Sequence, residues 1–235
     1  MTPLQSAEES IGIVRQQSDS AILFLSLGKD SLVLLDLMYP HFERIVCVFM
    51  YFVPGLEHIE RWIRWVQARY PRIELLQVPH WNLTYITRAG VYSTPNPKVK
   101  LLKMADVVET IRLRTGIRHV FLGMKKADGM NRNLMLKGYE AEHYIHDGQV
   151  YPLAEWNQRE ILAYMRQHRL PEPVRYSLSA SNGIGFNEAC FVWMEKNYPQ
   201  DLEKIYAVFP MSFRILEEYH YKQQHQPTTE KETAE

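Results

Sequence analysis

Apolar positions along this chain alternate between two rhythms. Short unbroken runs at residues 21–25, 44–52, 73–78 and 119–123 suit strands buried on both faces of a sheet. Between them, apolar residues recur at helical spacing. A helix is expected over 4–18, and another continues through Leu32, Val33, Leu35 and Met38 until Pro40 stops it. A third, over 57–70, carries Ile59, Trp62, Ile63 and Val66 on one stripe, and a fourth, over 101–115, turns Met104, Val107, Val108 and Ile111 inward before Gly116 closes it. Strands alternating with helices predict an α/β fold, a doubly wound, mostly parallel, Rossmann-like sheet of about five strands. Helices over 188–197, 202–208 and 213–224 then form a C-terminal extension, and the polar residues 226–235 read as a disordered tail. The expected organisation is a nucleotide-type domain over 1–175, a helical extension over 176–225 packed on it, and the tail.

Two connections exceed what such a sheet needs. Residues 80–100 and 124–149 each join neighbouring elements through long polar stretches, and loops of that length are usually functional. In a doubly wound sheet of order 3-2-1-4, the loop after the fourth strand faces the loop after the first. Residues following Gly123 are therefore expected beside those following Leu25.

Composition narrows the setting. With 46% hydrophobic and 23% charged residues, the chain reads as an ordinary globular protein. No apolar run approaches the ~20 residues of a membrane span. The polar, acidic start is unlike a signal peptide, so no membrane is expected and the cytoplasm is the default location. Cys47 and Cys190 are the two cysteines, too few and too far apart for a disulfide framework or a Cys-rich zinc site. Net charge is zero, yet residues 98–137 hold ten Lys and Arg against three acids. That +7 segment suits an anionic partner, from a nucleotide up to nucleic acid. Its one aromatic residue is Phe121, with Trp81, Tyr85 and Tyr92 just before it. Single-strand readers interleave charge with aromatic platforms, so a small anionic acceptor is favoured over nucleic acid.

The strongest chemical signal is Ser26-Leu27-Gly28-Lys29-Asp30-Ser31, between the first strand and its helix. A strand turning through small residues into a helix leaves backbone N–H donors unpaired at the positive end of the helix dipole. Ser26 and Ser31 add hydroxyls, Gly28 permits close approach and Lys29 brings a mobile charge. No Walker or dinucleotide spacing is present. The hexapeptide resembles the PP-loop, Ser-Gly-Gly-x-Asp-Ser, of ATP pyrophosphatases. Leu27 stands where that family has glycine, and its Cβ is expected to crowd the pyrophosphate or restrict the turn.

Two further segments extend the resemblance over about residues 21–175. Gly123-Met124-Lys125-Lys126-Ala127-Asp128-Gly129-Met130-Asn131-Arg132 is similar to the Gly-x-Arg-x-x-Asp/Glu-Ser/Gly-x-x-Arg segment of the phosphoadenylylsulfate (PAPS) reductase family. Lys125 occupies the first arginine position, keeping the charge without the bidentate geometry. Pro152-Leu153-Ala154-Glu155-Trp156 resembles the family's Pro-Ile-x-x-Trp signature. Locally this third segment is a helix start, with Asn157 as N-cap and Glu160 as its capping-box partner; Trp156, Ile161, Leu162 and Met165 are expected in the core.

The family includes PAPS reductases, the small subunit of sulfate adenylyltransferase, FAD synthetases and the ATP pyrophosphatase of DNA phosphorothioation. Membership implies an adenine nucleotide alpha-hydrolase fold and ATP with Mg²⁺ as cofactors. Ser26, Leu27, Gly28, Lys29, Asp30, Ser31 and Gly123 would surround the nucleotide. Lys29, Asp30, Lys125 and Arg132 would be catalytic, with Lys125, Lys126, Asp128 and Arg132 toward the substrate. Asp30 could hold Mg²⁺, position Lys29 or complement the helix N-terminus. The Glu-Cys-Gly-x-His reductase segment is missing while Lys29-Asp30-Ser31 is kept, which argues for ATP-dependent adenylyl transfer over reduction. The absence of Cys-x-x-Cys argues against tRNA thiolation through a cluster or persulfide pair. The alternative is a nucleotide-binding module that has lost catalysis and works inside a complex, and a homo-oligomer or partner subunit fits either reading. His143 and His146, beside Glu142 and Asp147, are of a type that binds metal, although isolated His pairs are more often surface residues. Residues 179–186 form a small polar stretch that either covers an acceptor pocket or joins two helices.

Overall fold

The computed structural model describes residues 1–173 and 185–225. Six strands form one sheet: β1 (Ser20–Phe24), β2 (Arg44–Tyr51), β3 (Ile73–Pro79), β4 (Val120–Phe121), β5 (Ile145–His146) and β6 (Gln149–Val150). Their order is β3-β2-β1-β4-β6-β5, parallel except for β5, which pairs antiparallel at the edge. The 3-2-1-4 order assumed for a doubly wound sheet is embedded in the observed one. Ten helices among the described residues complete the α/β layers: α1 (Pro3–Arg15), α2 (Lys29–Met38), α3 (Glu57–Arg69), α4 (Leu83–Ala89), α5 (Met104–Thr115), α6 (Met130–Lys137), α7 (Gln158–Gln167), α8 (Glu188–Asn197), α9 (Pro199–Val208) and α10 (Arg214–His225).

The continuous apolar runs of β1 and β2 reflect burial on both faces. Ala21, Leu23, Cys47 and Phe49 join the core on one side, while Ile22, Phe24, Val46 and Val48 join the other. The first core continues into the C-terminal helices through Cys190, Phe191, Met194, Leu202 and Ile205. A buried carboxylate fastens the same junction. Leu56, at the N-cap of α3, offers no side-chain acceptor, and Asp201 of α9 supplies one, accepting from Glu57 N at 2.8 Å and His58 N at 3.2 Å. Its Oδ2 also lies 2.9 Å from His58 Nδ1.

Local chemistry adjusts several boundaries. The first helix ends at Arg15, and after it Ser18 Oγ donates to Ser20 O and accepts from Ser20 N, turning the chain into β1. The helix expected from residue 101 begins at Met104, where Asp106 accepts from Lys103 N. Asn157 and Glu160 form the expected capping box of α7. The long connection after β3 contains α4, closed by Gly90 in the left-handed conformation. Beyond α4 it is tied to the C-terminal helices: Tyr92 O accepts from Met211 N at 2.9 Å, and the Tyr92 ring stacks on Phe186 at 4.9 Å. The connection after β4 contains α6 and the β5–β6 hairpin. Residues 179–184 and the tail 226–235 lie outside the described residues. Among the described residues, no helix is long and apolar enough to cross a membrane.

Candidate functional site

Every parallel strand of the sheet ends at the same edge, so the turn after β1 and the loop after β4 are neighbours there. Gly28 is the N-cap of α2, and hydroxyls lace the turn. Ser31 Oγ donates to Gly28 O at 3.0 Å and lies 3.2 Å from Ser26 Oγ, which in turn accepts from Gly28 N at 3.4 Å. A Cβ on Gly28 would come within 3.3 Å of Ser26 Oγ, so this turn has little room for a side chain. The first-turn N–H groups of the ten-residue α2 supply donors without helical acceptors.

Leu27 resolves the departure from the family pattern. Its φ is +60°, the left-handed region that a glycine enters freely and a leucine rarely does. The side chain is 5% exposed and packs into the core. A turn of this kind costs about 1–3 kcal/mol for a non-glycine residue. Burying a leucine contributes about 1.5–3 kcal/mol in return. Of the two expected effects, the restricted turn is real, while the side chain is spent on the core.

At the end of β4, Gly123 meets the start of α2. A Cβ built there would lie 3.5 Å from Asp30 C and Ser31 N. This contact brings Lys125 to Asp30. The Lys125 side chain is 3% exposed, with Nζ 2.9 Å from Asp30 Oδ1 and 2.8 Å from Asp128 Oδ1. Lys29 Nζ donates to Asp30 Oδ2 at 3.0 Å, and Arg132 donates to Asp128 Oδ2 at 2.7 Å. Charges therefore alternate along Lys29, Asp30, Lys125, Asp128 and Arg132, three cations against two carboxylates. Burial opposes the charged form of Asp128, but Lys125 and Arg132 outweigh it and hold that carboxyl below the usual range. Lys125 Nζ and Asp30 Oδ1 are buried and make no directed hydrogen bond, so their contact is charge attraction with bonding capacity left over.

Lys126 is the exception among the residues named from sequence. Its ammonium donates to Glu155 at 2.6 Å, Tyr144 Oη at 2.9 Å and Glu140 at 3.2 Å, in a cluster apart from Asp30. Burial alone would lower the Lys126 pKa; Glu155, Tyr144 and Glu140 reverse that and raise it. Lys126 opens a 3₁₀ turn (Lys126–Asp128), where successive side chains point about 120° apart. Adjacent lysines consequently serve different clusters. Lys126 ties this loop to the third motif, a link reinforced by its N–H donating to Ala154 O at 2.9 Å. Sequence reasoning missed Tyr144 and Glu140, which reach Lys126 only through the fold of the β5–β6 region.

The donor set does not form a resident Mg²⁺ site. Asp30 faces two ammonium groups, and among the described residues no cluster of three His, Cys, Asp or Glu is placed to hold a metal. His143 pairs with Glu9 at 3.2 Å, and His146 pairs with Glu142 at 3.3 Å and stacks on Tyr139. Burial raises the thiol pKa of both cysteines, that of Cys190 to about 11, which disfavours the reactive thiolate. A separate groove of about 870 Å³ lies among α8, α9 and α10 and includes none of the phosphate-loop residues.

The profile of the phosphoadenosine phosphosulfate reductase domain matches residues 20–176, from β1 past the third motif. The chain belongs to this family. The PAPS reductase family domain also shares its fold with the U34-tRNA thiolase NcsA from Methanococcus maripaludis, which carries a [4Fe-4S] cluster: 14% identity, 96% of this chain and 78% of that one, TM-score 0.50. The PAPS reductase from Candida auris, in a phosphate complex, aligns at 14% identity over 71% of this chain and 81% of that one, TM-score 0.49. Candida glabrata FMN adenylyltransferase, bound to FMN and an ATP analogue, aligns at 16% identity over 74% and 59%, TM-score 0.47. No curated protein sequence matches the chain. The family match covers the nucleotide-type part of the chain, and the α/β fold is shared with the tRNA thiolase structure.

Proposed function

We propose that this chain is a cytoplasmic ATP-dependent adenylyl transferase that cleaves Mg-ATP between the α and β phosphates. The observation that carries the reading is the charge chain from Lys29 to Arg132, which joins an intact Lys-Asp-Ser phosphate turn to the second family motif. Ser26, Gly28, Ser31 and the first-turn N–H groups receive the pyrophosphate. Leu27 shapes the turn and Gly123 keeps it open.

In the reaction, an acceptor oxygen attacks the α-phosphorus, the bond to the bridging oxygen breaks, and pyrophosphate leaves with that electron pair. A proton carried by the acceptor passes to solvent; an oxyanion acceptor has none to lose. Mg²⁺ bound to the ATP would supply charge neutralisation at the phosphates. Lys29 transfers from Asp30 to the leaving group as charge develops, which a long, flexible side chain permits. Asp30 acts as the positioning residue for Lys29 and Lys125. Lys125 and Arg132 steady the α-phosphate or an anionic acceptor.

Pyrophosphate release from Mg-ATP with a panel of acceptors tests this reading. Lys29→Ala should lower turnover about 10²-fold or more, and an unchanged rate removes Lys29 from the mechanism. A second reading is favoured by Asp30, which already occupies both ammonium groups: a nucleotide-binding module within a complex. ATP binding without turnover, across every acceptor, supports the module.

A further inference from the structure

Two hydrogen bonds bring together features that the sequence keeps apart. Asn96 N donates to Thr87 O at 3.0 Å, and Leu102 N donates to Thr84 Oγ1 at 3.0 Å, so residues 96–102 run along α4. Rings lead into that helix. Phe52 stacks on His80 at 4.6 Å, His80 tilts against Trp81 at 5.4 Å, and Trp81 meets Tyr85 edge-on at 5.9 Å. Nothing in α4 is buried, and Tyr85 is 37% exposed.

The helix and the run along it also carry exposed cations. Arg88 lies on α4, and Lys98, Lys100 and Lys103 lie on the run alongside it or just past its end. None of the four makes an ion pair among the described residues, and no Asp or Glu occurs between residues 80 and 105. His80 Nδ1 accepts from Asn82 N at 3.1 Å, and burial lowers the His80 pKa. The ring is therefore held neutral, with its proton on Nε2 and available to an acceptor. Aromatic faces interleaved with unpaired cations form the surface on which single strands are read, bases on rings and phosphates on lysines. The first carboxylate beyond the stretch is Asp106, which accepts from Lys103 N.

We propose that α4 and the run beside it bind single-stranded nucleic acid, with bases on Trp81 and Tyr85 and phosphates on Arg88, Lys98, Lys100 and Lys103. This site does not depend on the adenylyl-transfer reading. It does lie at the strand edge that carries the phosphate turn, with β2 alone between β3 and β1, about 10 Å away. A strand docked here could present a group to that turn.

Fluorescence anisotropy of the full chain with labelled oligo(dT), oligo(U) and a duplex, titrated with salt in the absence of ATP, tests the site. Micromolar binding of a single strand is expected at low salt, with a log–log salt slope of about −3 from four phosphate contacts. Tyr85→Ala should weaken binding about 5-fold or more and Tyr85→Phe should restore it, because the stacking face is kept. Lys98→Ala with Lys100→Ala should reduce the slope by about 1.4. Lys196→Ala, on α8, should change nothing. Tighter binding of oligo(U) identifies RNA as the natural strand, and tighter binding of oligo(dT) identifies DNA. Absence of saturable binding, equal affinity for the duplex, or indifference to the Tyr85 and lysine substitutions overturns the proposal.

Discussion

The Lys125 ammonium lies 2.9 Å from Asp30 Oδ1, joining the loop after β4 to the first turn of α2. Removing a partner from a buried pair costs about 3–5 kcal/mol; here Asp30 and Asp128 retain some solvent contact, which reduces the expected loss to about 2 kcal/mol. Lys125→Ala leaves the two carboxylates without the cation between them. Urea denaturation should report that loss, and Lys125→Arg should recover most of it. A variant as stable as the parent would mean that solvent already screens these charges.

Leu27 should reverse a familiar order. At most buried positions a glycine is worse than an alanine. Here Leu27→Ala loses packing, costing about 2–4 kcal/mol, and keeps the strained φ of +60°. Leu27→Gly loses the same packing and regains about 1 kcal/mol from the turn. Urea midpoints should therefore place the glycine variant at or above the alanine variant.

Gly123 marks a clearance limit. Since a Cβ would sit 3.5 Å from the α2 backbone, Gly123→Ala should be tolerated. Gly123→Val pushes further methyls into Asp30 and Ser31. ATP affinity, measured by calorimetry, should fall for Val and hold for Ala.

Asp201 links pH to stability. Burial opposes its charged form, but the Glu57 and His58 N–H groups, the His58 ring and Lys204 prevail, so its folded pKa is lowered. A depressed carboxyl stabilises the fold above its unfolded value of about 3.9, and that stability is lost as pH falls through the folded pKa. Asp201→Asn should lose about 1–3 kcal/mol near neutral pH. The gap between variant and parent should narrow below about pH 4. A gap that is constant with pH would show that the carboxylate charge is immaterial.

Much of the sheet was legible because burial on both faces leaves continuous apolar runs, and alternation with helices pointed to a doubly wound parallel sheet. The strand-to-helix turn at 26–31 and the capping box at Asn157 and Glu160 were readable from local spacing, and the proximity of Gly123 to Asp30 from the topology of a doubly wound sheet. The partners of Lys126 were not, since Tyr144 and Glu155 approach it through tertiary contacts without a sequence period. Nor was the burial of Leu27, because a motif position does not disclose where its side chain turns. The sequence gives Phe121 as the single ring of the basic segment and so favours a small acceptor. Folding lays residues 96–102 along α4, through Thr87 O and Thr84 Oγ1, an adjacency visible only after the loop has closed.

The bond from Met211 N to Tyr92 O has a wider consequence. It lets the far end of the chain set the posture of a connection that the sheet itself leaves long. Substitutions around Phe186 or Met211 can re-aim that connection while the strands and the phosphate turn keep their register. The C-terminal helices can thus change independently of the turn between β1 and α2, re-aiming the connection without rebuilding that turn.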